Sequence, residues 1–347
     1  MKATRKIAVL TCIILLLGII PNVGSQANEQ RQSYLTGQSK NAGVANRRPF
    51  ALVVANNKAA LPQYGISAAS VYYEAPVEGA MTRLVVVVED YDNLPRIGPV
   101  RSARDYHVYE AMGRQAIFAH WGLAVPYCAD LINGPSVDNI SAAVRGISRG
   151  ASEAFTRVSR PGKALEFTGY MTIDGYNRAV DRLGYAKNYS SDFVPQFAFA
   201  GERLSYSNAP GATVIRPGGT SRNRSGYGNG NPYFTYNADD QLYYRFQYGG
   251  RHIDEMNNQQ LTVTNVIYQY TNGEARDANG YLRFDILGSG TARIFTSGRM
   301  IEGTWRRDSE TSPARYYDAA GNQIQLNQGK TWICLIWNSY AEFAVWE

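Results

Sequence analysis

The chain is poor in the residues that build metal centres and disulfide frameworks. Of its 347 residues, three are cysteine and three are histidine. Cys12 lies in an apolar leader, which leaves Cys128 and Cys334 far apart and without a partner at ligand spacing. A zinc finger and a multi-bridge scaffold are both excluded, while a single Cys128–Cys334 bridge and two separate buried thiols stay open. The three histidines, His107, His120 and His252, are scattered, and there is no H-E-x-x-H pair. A phosphate loop of the G-x-x-x-x-G-K-[ST] type and a G-x-G-x-x-G turn after a strand are missing as well. Beyond residue 20 no apolar run is long enough to span a bilayer.

One apolar run is present, at the start. Lys2, Arg5 and Lys6 precede Ile7 to Ile20, and Ser25-Gln26-Ala27 supplies small residues at the offset a signal peptidase cuts. Residues 1–27 therefore read as a signal peptide cleaved after Ala27, which places the mature protein outside the cytoplasm, secreted or in the cell envelope. Cys12 sits inside the run rather than at its end, so it is no lipid-attachment cysteine; an uncleaved anchor is the alternative. Loss of the leader takes away three cations and no acid, so the formal charge falls from +6 to +3. That residual charge does not indicate a nucleic-acid binder, for which a strongly basic module is required.

The remaining length fits two domains. Residues 28–46 are rich in Gln, Asn, Ser and Gly and read as a disordered tether. Residues 47–200 alternate apolar strand patterns (Phe50–Ala55, Val71–Glu74, Leu84–Glu89, Gln115–Ala119) with helical ones near Arg104–Met112, Pro126–Asn133 and Thr172–Leu183. This is the pattern of an α/β layered domain. Residues 201–232 are dense in Gly, Asn, Ser and Pro and read as a linker or long loop carrying Arg216, Arg222 and Arg224. From 233 to 347 short strands follow one another, and Ser297-Gly298 marks a hairpin tip. The expected class is α+β or α/β: a layered domain followed by a mostly antiparallel β domain, whose Tyr and Trp residues serve packing or a carbohydrate-stacking surface.

The chemistry concentrates in Pro95 to His107, Pro-Arg-Ile-Gly-Pro-Val-Arg-Ser-Ala-Arg-Asp-Tyr-His. With Ser102 as N-cap and Asp105 three residues on, Arg101 stands just outside a helix and Arg104 in its first turn. Free backbone N–H groups, the positive end of the helix dipole and forked guanidiniums all suit phosphate, pyrophosphate or carboxylate. Arg83 joins them if it opens the strand that follows Glu78, and Glu74 and Glu78 then supply an acid or base near the arginines. His120, at a strand end, is the third polar neighbour. The ordinary alternative is that these arginines pair with carboxylates of their own domain and that His120 is structural.

Several of these segments carry a family resemblance. Arg48-Pro49, Val71-Tyr72-Tyr73-Glu74-Ala75-Pro76-Val77-Glu78-Gly79, Thr82-Arg83, Ile97-Gly98-Pro99-Val100-Arg101-Ser102-Ala103-Arg104 and His120 closely resemble the YerB-like lipoproteins of bacteria, a family without an established function. Tyr244-Arg245, Gly249-Gly250, Thr264-Asn265-Val266, Gly288-Ser289-Gly290, Gly303-Thr304-Trp305 and Gly329-Lys330-Thr331-Trp332 resemble its second domain. Two departures stand out: the lipid-attachment cysteine is missing, and Ala164-Leu165-Glu166 replaces a Pro-His-Asn that the resemblance implies. A looser similarity, in the succession of Leu84–Glu89, Ser102-Ala103-Arg104-Asp105, His120-Trp121-Gly122 and Asp181-Arg182-Leu183-Gly184, is to the LytR-CpsA-Psr phosphotransferases. Those enzymes attach polyprenyl-pyrophosphate-linked glycopolymers to the cell wall. That similarity implies pyrophosphate on Arg104-Asp105, with magnesium where carboxylates are available.

Two readings result. One is an exported protein that binds an anionic wall or lipid-linked ligand through Arg83, Arg101, Ser102, Arg104 and Asp105; the other is a phosphotransferase using the same neighbourhood, with Glu74, Glu78 and His120 alongside. N-terminal sequencing of exported material is expected to begin near Asn28 without a lipid. An acylated cysteine or an intact Met1 overturns the leader assignment.

Overall fold

This computed structural model describes residues 29–347; the expected leader, the expected cleavage site and Cys12 lie outside the described residues. Ten strands form one large sheet. They are β1 (Phe50–Ala55), β2 (Val71–Val77), β3 (Met81–Val88), β4 (Ile117–His120), β5 (Asn139–Ser141), β9 (Asn265–Thr271), β10 (Gly288–Thr296), β11 (Arg299–Arg307), β12 (Arg315–Tyr317) and β13 (Thr331–Trp337). Four further strands, β6 (Val214–Arg216), β7 (Tyr233–Asn237), β8 (Leu242–Gln247) and β14 (Val345–Trp346), belong to a second, antiparallel sheet. The large sheet runs β12-β11-β10-β9-β13-β2-β3-β1-β4-β5. It is mixed: β13 is parallel to β9 and β2, and β4 is parallel to β1 and β5, while the other neighbours are antiparallel. The class is α+β.

The run Leu84-Val85-Val86-Val87-Val88 is apolar throughout because the sheet is covered on both faces. Leu84, Val86 and Val88, with Tyr72, Trp332 and Phe50, pack under the second sheet and helix α3 (Ile173–Leu183). Val85 and Val87, with Val53, Tyr73 and Ile333, pack under α1 (Asp105–Met112) and α2 (Val125–Asn133). Cys334 belongs to the first face and Cys128 to the second; both are free and buried, so they are two separate thiols. Burial pushes the Cys128 thiol up to about 12, which keeps it protonated and inert.

Local signals positioned these elements well. Thr172 caps α3 by accepting from the Gly175 N–H, and Gly184 ends it in the left-handed conformation at φ 70°. Ser297 and Gly298, at φ 52° and 69°, make the two-residue turn between β10 and β11 that the hairpin signal called for.

The polar segments behave differently from expectation. Residues 28–46 are not a disordered tether over their described part: Gln30–Gln32 pairs with Ser39–Asn41, a short helix Ala42–Ala45 follows, and Leu35 is buried. Their polar side chains hold turns and partners rather than water, as when Ser33 Oγ bonds both oxygens of Glu89 at 2.8 and 2.7 Å. Residues 201–232 are likewise no free linker. They contain β6, and Tyr227 is fully buried, its hydroxyl donating to the carbonyls of Glu74 and Leu335.

Nor does that segment separate two cores. Parallel pairing of Thr331–Cys334 with Val71–Glu74 makes one sheet of the two halves. Urea unfolding followed by tryptophan fluorescence and by far-ultraviolet circular dichroism is therefore expected to give one coincident transition. Limited proteolysis within 201–232 should leave the halves associated; two separate transitions would show independent domains.

Candidate functional site

The arginine loop is strapped to the end of β4 before α1 begins. Arg101 N–H donates to Val53 O, Ala103 N–H to Gly122 O and Ala124 N–H to Ala103 O, so the backbone stays extended through Ala103. Helix α1 starts only at Asp105, with Arg104 as its N-cap, and the Arg104 N–H donates to His107 Nδ1 at 3.2 Å. Ser102 is thus not the cap. Its hydroxyl makes only a long contact to Trp121 O at 3.5 Å, while its carbonyl accepts from Arg83 Nη1 at 2.8 Å.

Three guanidiniums do converge here, each in a different state. Arg104 is 6% exposed and is held by both oxygens of Glu78, each at 2.7 Å; it is a structural cation. Arg101 pairs with Glu166 at 2.9 Å, on a carboxylate that is half exposed, and lies over the Phe167 ring. Arg83, 9% exposed, bonds no carboxylate among the described residues and reaches only the Ser102 carbonyl. Burial first, then repulsion from Arg104 and Arg101, pulls its pKa down to about 9, with Glu78 only partly opposing. Asp105 is drawn away from the loop by an ion pair with Arg276.

Glu74 is not part of this site. Ala75 stands opposite Arg83 and Glu74 opposite Leu84, so strand alternation sends Glu74 and Arg83 to opposite faces of the sheet. On its own face Glu74 is fully buried and accepts from Arg245 Nη2 at 2.7 Å, Trp332 Nε1 at 2.9 Å, Asn56 Nδ2 at 2.9 Å and Thr82 Oγ1 at 2.8 Å. His120 is also structural: Nδ1 lies 2.7 Å from Gly122 O and Nε2 2.9 Å from Asn139 Oδ1, with no contact to the arginines. His107, which faces Arg83 and Arg104, is closer to the site than His120 is.

Among the described residues no three His, Cys, Asp or Glu side chains converge to hold a metal, and no helix is long and apolar enough to cross a membrane. Gly146-Ile147-Ser148-Arg149-Gly150 spells G-x-S-x-G, but it lies outside any strand-to-helix turn, and its serine is tied to Asn133 Oδ1 at 2.8 Å. The residues that sequence reasoning did not bring to the site, Glu166 and Arg276, come from distant segments and carry no local signal.

The chain matches the N-terminal domain of the protein of unknown function DUF3048 over residues 35–186 and its C-terminal domain over residues 224–333. It is 26% identical over 311 residues to a Bacillus subtilis (strain 168) protein named "Putative lipoprotein YerB", covering 87% of this chain and 85% of that protein. The crystal structure of YerB protein from Bacillus subtilis superposes with a TM-score of 0.73 at 24% identity, over 88% of this chain and 96% of that one.

All three histidines are buried, and burial is the first cause that lowers each pKa, His120 to about 4 and His107 and His252 well below the ordinary value. The unfolded chain binds these protons near pH 6.5 and the folded chain does not, so stability rises with pH through the window and is lost as pH falls from about 6.5 toward 4. Each histidine contributes up to about 1.4 kcal/mol per pH unit there. Urea midpoints are expected to drop sharply between pH 7.5 and 5.5; a flat profile would show that the histidines take up protons in the folded state.

Proposed function

The chain belongs to the two-domain family of unknown function whose N- and C-terminal domains it matches, and on that footing we propose that it is an exported cell-envelope protein that binds an anion at the Arg83–Arg101 face. The ligand is a phosphate or pyrophosphate group carried by a wall or lipid-linked molecule. One observation carries this reading: Arg83 is a nearly buried cation that bonds no carboxylate among the described residues and has two like charges beside it, opposed only in part by Glu78, which Arg104 already holds. A buried charge that lacks a counter-ion is costly, and a bound anion relieves that cost. Arg101 is the second donor, since a pair with a half-exposed carboxylate is worth only about 0–1 kcal/mol and yields readily to a stronger acceptor.

Binding without turnover is the better supported form. The phosphotransferase reading needs Arg104 and Asp105 on the ligand, and both are already committed, to Glu78 and Arg276. Magnesium belongs only to that reading.

Calorimetric titration with inorganic pyrophosphate tests the proposal. Arg83→Gln is expected to weaken binding about tenfold or more, and Arg101→Gln by a few fold, as for charge-assisted contacts partly shielded from water. Glu166→Gln is expected to strengthen it by freeing Arg101. Unchanged affinity in Arg83→Gln overturns the site.

A further inference from the structure

A second basic surface lies on the far side of Glu78. The turn between β2 and β3, the 218–230 loop and the short 3-10 turn Asn338–Phe343 enclose a groove of about 560 Å³. Arg222, Arg224 and Asn229 stand along the loop side, and Trp337 and Tyr340 line it from the turn side. These residues lie outside the arginine loop, and the anion site does not use them.

The loop holds its arginines on a fixed backbone. Tyr227 anchors it in the core, and the Asn223 side chain donates to Gly218 O at 2.7 Å and Ser221 O at 3.0 Å while accepting from Ser225 N–H at 3.0 Å. Gly226, at φ 90°, lies so close to the sheet that a Cβ there would fall 2.8 Å from Pro76 Cβ. Little conformational freedom is left to lose when a ligand arrives.

The charge of the groove is uncompensated. Arg222 bonds only the neutral Asn229 Oδ1 at 3.2 Å, and Arg224 has no partner among the described residues. The one carboxylate lining the groove, Glu78, is already neutralised by Arg104. Opposite them, Trp337 donates its indole N–H to Gly273 O, and its ring meets Tyr340 edge-on at 5.1 Å. Aromatic rings for apolar faces, guanidiniums for acid groups and an amide for hydroxyls together suit a ligand that is apolar on its faces, hydroxylated at its rim and acidic.

We propose that this groove binds an acidic glycan, a saccharide chain bearing carboxylate or phosphate groups, with the acid on Arg222 and Arg224 and a sugar face against Trp337 and Tyr340. The site is independent of Arg83. The probe is hexagalacturonate, titrated by calorimetry and by tryptophan fluorescence, with maltohexaose as the neutral control and inorganic pyrophosphate held saturating in a parallel series. Binding of hexagalacturonate but not maltohexaose is expected. It should weaken tenfold or more in Arg222→Gln/Arg224→Gln and measurably in Tyr340→Ala, and should persist in Arg83→Gln and under saturating pyrophosphate. Circular dichroism verifies that these surface variants fold. The proposal is overturned if hexagalacturonate does not bind, if maltohexaose binds as well, if the double variant binds as the parent does, or if an oligo-dT of equal charge binds more tightly. Loss of binding in Arg83→Gln alone would return the effect to the first site.

Discussion

The contact on which the rest of the structure depends is the ion pair of Glu74 and Arg245. Both side chains are 0–1% exposed, 2.7 Å apart, and they come from strands 171 positions apart in the chain. A carboxylate in that position is tolerable only with its lone pairs filled, and four donors fill them. Three of these, Asn56, Thr82 and Trp332, stand on or beside the large sheet, and the fourth arrives with the second sheet. The guanidinium in turn lies against two rings that meet edge-on, 4.7 Å from the ring centres of both Phe234 and Trp332. Such a pair gains little over well-packed apolar residues, but half of it alone is costly. Its effect is to allow one docking of the two sheets and penalise the others.

The same device recurs on the opposite face. Glu110, fully buried, meets Arg114 from its own helix and Arg307 from β11; burial alone would raise its pKa, and the two cations more than offset that and hold it below the ordinary carboxylate range. Asp105 meets Arg276 in the same manner. In each case an acid of the N-terminal half is neutralised by an arginine of the C-terminal half. The sequence domains matched at residues 35–186 and 224–333 are therefore halves of one interlocked body, which needs no disulfide to hold it.

Locally coded features were legible in the sequence. The strands at Phe50–Ala55 and Thr331–Trp337, the helix ending at Gly184 and the turn at Ser297-Gly298 follow from periodicity, caps and turn residues, all of which act within a few positions. What escaped depends on partners remote in sequence. Composition marks residues 28–46 as polar but cannot show that Ser33 meets Glu89, and Gly-rich texture at 201–232 hides the buried Tyr227 that fixes the loop. Ser102 had every mark of an N-cap; the strap from Gly122 to Ala103 moved the helix start two residues on. Spacing puts Arg101 and Arg104 on one loop, yet spacing cannot tell a cation that is already paired from one that is not.

That distinction decides how the charge of this molecule can be used. Arg104, Arg245, Arg276 and Arg307 are committed to carboxylates and act as internal fasteners, so their number says nothing about ligands. Arg83, Arg222 and Arg224 are not so committed among the described residues, and they flank one neutralised acid, Glu78. Because Glu78 both holds Arg104 and lines the groove, it separates two cationic surfaces that would otherwise repel each other across the same turn. Where the family resemblance implies Pro-His-Asn, this chain places Glu166 against Arg101. That exchange puts Leu165 in place of the titratable ring and, in place of the amide, an anion that competes for Arg101. It damps the charge of one surface and leaves the other unaltered, so the two surfaces need not respond to the same ligand.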